Sequence, residues 1–511
     1  MTLTVRRKRR MAATLTRREA AVAGATLVAL LLTIAAALHA SPTLSPADPV
    51  IRAVAVSSGF PTAPPRLVVD PNGSRAVVVA GTAGTPILTG GEAVPGVVPQ
   101  RPGLWSTEPS WYDIPAFVVD TRTGAVVDRP TLGADIAALA VDRSSGQVVA
   151  VDGEATRTVL LGRGRLAHRE VPLSGIPRGA VVLASTMDSR TGRLFAAVLL
   201  PPAARTPLQR PAVAVIDASG ALTRLTALPR RPALRFGAGK GVLAPVQPWA
   251  LALDAQAGRV FVFENDGGLA VLDAEGRLVR RRRLPAPVRV VAVDDRSGRI
   301  FAASSSGNPF LNSLYQPTRP GHEKIFVLAS GDGALVKTIE TRDVVTALAI
   351  DVSTNRLFAS SSQRITMYDA TTGHATGRVT APDDTTLDEL AVDLVRGRVY
   401  AAGAAGTSIQ VLDARTGAPV RVLALGQGRH PIGLSVDAAS GRLLVLSVAA
   451  VVAPPIGTPP DHWAWIPAAL RPYVPFVPAP APTVSAAMQS VLAATPSSLE
   501  TTSLLLLDPW R

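Results

Sequence analysis

Cysteine is absent from all 511 residues, which excludes a disulfide framework, a thiolate metal site, a cysteine nucleophile and a lipid-modified cysteine. Charge is also sparse. Only 18% of the chain is charged against 47% hydrophobic, too little repulsion and too much apolar surface for a disordered chain. Lysine is nearly missing: basic residues are almost all arginine. With abundant Ala, Gly and Pro, this reads as GC-rich coding, so the net charge of +14 does not call for nucleic acid, and none is expected as a partner. Gly and Pro, at 42 and 44 residues, instead predict many turns and short strands.

Nearly half of the net charge sits at the start. Arg6, Arg7, Lys8, Arg9, Arg10, Arg17 and Arg18 precede an uncharged run, residues 20–38, AAVAGATLVALLLTIAAAL. As a helix this run is about 29 Å long, enough to span a bilayer. The positive-inside rule keeps residues 1–19 cytoplasmic and predicts a single-pass signal-anchor in the cell membrane, with everything beyond extracytoplasmic. A cleaved signal peptide is the competing reading, disfavoured by the length of the apolar run and by Leu38 three residues before the best cut. Residues 39–49 form a Pro-rich tether.

Beyond the tether one pattern recurs eight times: an apolar run ending in Asp, three variable residues, a Gly or equivalent, an Arg in seven of the eight copies, and a second apolar run. The aspartates are Asp70, Asp142, Asp188, Asp254, Asp294, Asp351, Asp393 and Asp437, and ALALDAQAGRVFVFE shows the pattern plainly. Between these copies lie second units with their own Asp and Gly turn, at Asp120, Asp217, Asp273, Asp369 and Asp413, with degenerate copies near Gly333 and Gly164. Each unit reads as a β-hairpin, Gly supplying the positive φ of the turn. The Asp and Arg of the first unit then face each other across the hairpin and are expected to form an ion pair; Gln147 replaces the Arg in one copy. The same aspartate in every repeat points to a turn requirement rather than to catalysis or metal binding.

Two hairpins make a four-stranded unit, and spacings of about 40 to 46 residues match a propeller blade. Small residues two positions before the Asp (Ala140, Ala252, Ala292, Ala349, Ala391, Ser435) alternate with larger ones, so both strand faces are apolar and each sheet packs between two others. The expected fold is all-β, an eight-bladed propeller, with seven blades as the alternative if the unit near Gly164 does not complete a sheet. The last blade lacks an outermost strand, and residues 50–56, VIRAVAV, are expected to supply it and close the ring.

Gly428-Arg429-His430-Pro431 leading to Asp437, preceded by Val411-Leu412-Asp413 and Thr416-Gly417, resembles the YVTN-type β-propeller repeat family, within the quinoprotein and WD-repeat-like propellers. The resemblance covers about residues 50–510 and implies fold rather than function. Quinoprotein dehydrogenases share an Asp-x-x-Thr-Gly element followed by a tryptophan, but Gly124, Gly373 and Gly417 are followed here by AVV, HAT and APV, so no quinone is implied. No cofactor is expected.

In such a ring the Asp-Gly turns fall on one face and the long insertions, 81–115, 201–211, 229–248, 304–323 and 449–502, on the other. Aromatics follow the insertions. Trp105, Trp111, Tyr112, Trp249, His462, Trp463 and Trp465 are therefore the candidate ligand-binding residues, since aromatic anchors on loops held by a rigid scaffold commonly bind partners. The histidines show no metal spacing; His430 and His462 are a weak pair at most, and no metal site is assigned. Phe263-Glu264-Asn265-Asp266-Gly267-Gly268 reads as a hairpin turn before it reads as a calcium loop. Arg280, Arg281, Arg282 and Arg283 read as a charged edge strand that discourages pairing with other molecules. The expected function is a binding or scaffolding module for an envelope protein, peptide or glycan. The rival is an extracytoplasmic hydrolase or lyase of lactonase type, working at the mouth of the central channel, with no catalytic residue legible. If the anchor is uncleaved, protease added to intact cells digests the repeats and leaves a membrane-held amino-terminal fragment; a soluble mature protein starting near Ser41 contradicts it.

Overall fold

The computed structural model divides into two compact units, Met1–Asp48 and Pro49–Arg511. It describes residues 50–58, 66–70, 74–79, 116–132, 136–162, 168–202, 209–229, 234–236, 242–244, 246, 248–304, 323–361, 364–380, 387, 389–403, 406–426, 428–450 and 500–509. The basic segment and apolar run of the first unit lie outside them, and among the described residues no helix is long and apolar enough to cross a membrane.

After β1 (Val50–Ser58), seven antiparallel sheets follow in chain order. Blade 1 holds β2 (Arg66–Asp70), β3 (Arg75–Val79), β4 (Ala116–Asp120) and β5 (Val126–Asp128). Blade 2 holds β6 (Ile136–Val141), β7 (Val148–Asp152), β8 (Arg157–Leu161) and β9 (His168–Pro172), so the unit near Gly164 does complete a sheet. Blade 3 holds β10 (Val181–Asp188), β11 (Arg193–Leu200), β12 (Arg210–Ile216) and β13 (Leu222–Ala227). A separate hairpin of β14 (Leu234–Phe236) and β15 (Val242–Ala244), not foreseen from the sequence, precedes blade 4. Blade 4 holds β16 (Pro248–Asp254), β17 (Arg259–Glu264), β18 (Gly268–Asp273) and β19 (Leu278–Arg283); blade 5 holds β20 (Val288–Asp294), β21 (Arg299–Ser304), β22 (Lys324–Ala329) and β23 (Leu335–Glu340). Blade 6 holds β24 (Ala347–Asp351), β25 (Arg356–Ser361), β26 (Arg364–Asp369) and β27 (Ala375–Thr380); blade 7 holds β28 (Glu389–Asp393), β29 (Arg398–Ala402), β30 (Ser408–Asp413) and β31 (Pro419–Ala424).

The eighth sheet is composite. Its order is β32 (Arg429–Asp437), β33 (Arg442–Ala450), β34 (Glu500–Leu507) and then β1, with Ala53 opposite Leu505 and Val54 opposite Leu504. The start of the propeller thus supplies its last outermost strand, as the sequence predicts. Innermost strands touch in the order β2, β6, β10, β16, β20, β24, β28, β32, and β32 returns to β2. The ring has eight blades and is closed.

Burial follows position in the blade. The second and third strands are buried on both faces, whereas outermost strands such as β9, β19 and β31 are largely exposed. Period-two alternation sends neighbouring side chains to opposite seams: Val260 and Val262 pack with Phe195 and Val213 of blade 3, and Phe261 and Phe263 with Ile300 and Phe326 of blade 5.

The register places Asp and Arg opposite each other in all seven Arg-bearing copies, for example Asp254 and Arg259. The expected ion pair forms in only one of these described pairs, Asp70–Arg75 at 3.7 Å. The aspartates are buried and turn inward to cap their own turns: Asp351 accepts hydrogen bonds from the backbone N–H groups of Ser353 and Thr354 and from both hydroxyls, and Asp294 from Ser297. Five of the arginines reach the next blade, whereas Arg398 pairs with Asp413 of its own blade at 2.6 Å. Arg75 donates to the carbonyls of Gly162 and Gly146, Arg193 to Ala274, Arg259 to Gly331, Arg299 to Ala370, and Arg442 to Thr121. These are turn carbonyls without a strand partner, and a buried carbonyl demands a donor. Where Gln147 interrupts the series, Thr158 and Arg169 of blade 2 donate to the Gly220 and Ser219 carbonyls of blade 3 instead.

The second-unit aspartates cap turns in the same way. Backbone N–H groups of Thr372 and Thr416 hold the Asp369 and Asp413 carboxyls below the usual range. The turn glycines are also points of close approach. Gly276 and Gly417 adopt φ of +76° and +72°, and a Cβ on either would collide with Val215 or Met367 of the preceding blade.

At the closing seam Thr121 of blade 1 does two things: its hydroxyl donates to buried Asp437 of blade 8 at 2.6 Å, and its carbonyl accepts from Arg442 at 2.9 Å. Thr121→Val preserves shape and takes a donor from a buried carboxylate, so it should destabilise by about 1–3 kcal/mol in denaturant titration, more than Thr123→Val on the same turn's exposed side. Equal stability of Thr121→Val and the parent overturns the seam's importance.

Candidate functional site

Strand direction assigns every connection to a face. Links between first and second, and third and fourth, strands of blades 1 to 7 are only four to six residues long and all leave from one face. The longer stretches, 80–115, 201–209, 228–247, 305–323 and 451–499, all join second to third strands or one blade to the next, and so leave from the opposite face. Trp105, Trp111, Tyr112, His462, Trp463 and Trp465 belong to these stretches and lie outside the described residues. Trp249 alone is placed, by its backbone, in β16.

The placement of Trp249 has a structural cause. The register of β16 slips between Pro248 and Ala250, making Trp249 the extra residue of a β-bulge. Among the described residues the same slip recurs at Ala137, Leu183, Arg289 and Ile432, each five residues before its turn aspartate, at the insertion-bearing end of an innermost strand. Bulges re-aim side chains and gather next to sites. Five innermost strands thus carry an irregular residue near the channel mouth, a feature that no residue type at this position announces. His430, beside it in β32, has Nδ1 3.2 Å from the Gly406 carbonyl. Among the described residues no three His, Cys, Asp or Glu side chains gather to hold a metal ion.

The roots of two insertions are held by polar groups. Ser304, at the end of β21, donates its hydroxyl to buried Glu323 at 2.9 Å and accepts from the Lys324 backbone N–H at 2.8 Å, tying together both ends of the 305–323 stretch. The Glu323 carbonyl takes the Thr341 N–H at 3.0 Å. In blade 4, Arg281 pairs with buried Glu264 and donates to the Pro229 carbonyl at 2.9 Å, where the blade 3 to blade 4 connection departs. Arg282 and Arg280 pair with Asp332 of blade 5, and Arg283 lies 3.6 Å from Asp266. The four arginines read as an edge guard are therefore engaged with acids, two of them across a seam. The Asn265-Asp266-Gly267 segment is the expected hairpin turn: the Gly267 N–H donates to Glu264 and the Gly268 N–H to the Asp266 carboxylate.

A partly open cavity of about 430 Å³ lies in the seam between blades 5 and 6. It is lined by the crossing from Glu340 to Val345, by Ser360 and Ser361 of β25, by Thr366 and Tyr368 of β26, and by Ala375 and Arg378 of β27. Burial pushes the Tyr368 phenol up, while the Arg378 charge pulls it down. Sequence reading missed this cavity because its lining comes from two blades, each of whose segments looks like an ordinary repeat.

No family model matches the chain, and no curated protein does either. Comparison with solved structures finds similar chains. Saccharomyces cerevisiae Sqt1 superposes at a TM-score of 0.50 with 11% identity, covering 77% of this chain and 93% of that one. Dihydro-heme d1 dehydrogenase NirN, in complex with DHE, gives 0.49 and 11% over 66% and 68%, and the WD40 β-propeller domain of Doa1 gives 0.37 and 14% over 58% and 85%. At these identities the likeness concerns fold alone.

If Ser304 anchors its insertion, Ser304→Ala should cost about 1–3 kcal/mol, because buried Glu323 loses a donor, and should speed proteolysis within 305–323. A variant with parent stability and the parent digestion pattern contradicts this.

Proposed function

We propose that this chain is a membrane-anchored, extracytoplasmic β-propeller of YVTN type that acts as a binding or scaffolding module for an envelope protein, peptide or glycan through its insertion-bearing face. One observation carries the reading: every long connection leaves the ring from the same face, while the links on the opposite face are short. Loops set on a rigid scaffold are where binding residues concentrate, and in a chain that is only 4% aromatic the connecting stretches carry Trp105, Trp111, Tyr112, Trp463 and Trp465. The repeated Asp-x-x-x-Gly-Arg and Asp-x-x-Thr-Gly elements support the YVTN assignment, and the basic cluster followed by the apolar run 20–38 supports the anchor and its orientation.

The test pairs binding with stability. Trp463→Ala and Trp465→Ala are compared with the parent for capture of envelope proteins and cell-wall glycans and for melting temperature. Removing an anchor at a recognition surface costs about 2 kcal/mol, roughly thirtyfold in affinity, with the melting temperature kept. Unchanged binding with a lowered melting temperature shows a packed lid instead and overturns the proposal.

A further inference from the structure

We infer that the cavity between blades 5 and 6 is a binding site for a carboxylate-bearing sugar of the hexuronate class. This deepens the recognition reading, on which it rests for its context, by naming a ligand chemistry and a place.

The charges decide the sign of the ligand. Glu340 is already paired with Lys324 at 2.9 Å and Asp343 with Arg364 at 2.7 Å. Arg342 and Arg378, both exposed and both lining the cavity, have no ion-pair partner among the described residues. Two neutralised carboxylates and two uncommitted guanidiniums leave the site with a surplus of two positive charges. A guanidinium presents a planar fork of N–H donors that matches a carboxylate bidentately. Two forks at one cavity therefore select an anion over a neutral or cationic guest.

The remaining lining decides what the anion carries. Thr341, Ser360, Ser361, Thr366 and Tyr368 bring hydroxyls to the wall, each both donor and acceptor. Their protein bonds leave capacity to spare: Thr341 donates once, to the Asp343 carbonyl at 3.1 Å, and Ser361 once, to the Arg364 carbonyl at 3.1 Å. A bare inorganic anion has no use for such a wall, whereas a ring bearing several hydroxyls matches it. The volume, about 430 Å³, falls in the range of small-molecule sites and exceeds what a simple anion fills. Ala375 of β27 lines it with a small side chain.

Calorimetric titration of the full chain with D-glucuronate, D-glucose and inorganic phosphate tests the inference. Glucuronate should bind, and glucose and phosphate should each bind at least tenfold more weakly. Arg342→Ala and Arg378→Ala should each weaken glucuronate binding roughly ten- to hundredfold, the loss of charge-assisted hydrogen bonds. Both side chains are exposed, so melting temperatures should hold. Arg378→Lys, which keeps charge but loses the fork, should recover only part of the affinity. Absence of glucuronate binding, phosphate binding as tightly as glucuronate, or binding indifferent to both arginines would each overturn the site. The same titration on Trp463→Ala separates the two proposals: intact glucuronate binding with lost envelope capture supports the cavity as an independent site, and missing glucuronate binding alongside normal envelope capture sinks the cavity alone.

Discussion

Each blade is a sheet with two apolar faces, and a sheet of that kind is stable only when clamped between two others. Phe261 and Phe263 on one side of β17 and Val260 and Val262 on the other are all fully buried, and no solvent-facing arrangement of blade 4 alone would hide both sets. The constraint passes from blade to blade until it returns to the first, so the chain must close. Closure in turn dictates that β1 be lent to the last sheet, an arrangement that leaves neither end of the ring as an open edge.

Apolar packing alone allows blades to slide. The polar contacts at the turn face set the register, and those to backbone carbonyls run in one direction around the ring, from a donor on one blade to a turn carbonyl on the following one, while the Thr121 hydroxyl donates back to the Asp437 carboxylate of the preceding blade. Arg193, Thr226, Arg259, Arg282, Arg299, Lys337, Arg421 and Arg442 all follow this sense. Where the turn aspartate is capped within its own turn, as Asp294 is by Ser297, the arginine opposite it is available for this duty, as Arg299 is. A unit of Asp, Gly and Arg therefore caps a hairpin, admits the neighbouring blade at the glycine and holds that blade by the arginine.

Much of this was legible. The recurring Asp, Gly and Arg mark hairpins because turn chemistry is local, and the incomplete last blade together with residues 50–56 announces the closure. The Arg partners were not legible: Arg193 and the Ala274 carbonyl are 81 positions apart, and local spacing suggests only the Asp across the hairpin. The hairpin β14–β15 is hidden in two triplets, LRF and VLA, too short to stand out. The bulges at Ala137, Leu183, Trp249, Arg289 and Ile432 share a position and no residue type. Of the candidate site, the sorting of insertions to one face followed from strand direction, whereas the cavity brings Arg342 of a crossing and Arg378 of β27, 36 positions on, to one lining.

The central claim is that the ring is one closed cooperative unit, held at the blade 8 to blade 1 junction as firmly as elsewhere. Native-state hydrogen exchange followed by mass spectrometry measures this directly, by comparing peptides of β1 and β34 with those of β17 and β18. The account predicts that the two sets open together with similar protection. Fast exchange in β1 and β34 while β17 and β18 stay protected would show a ring that opens at its closing blade, and would contradict it.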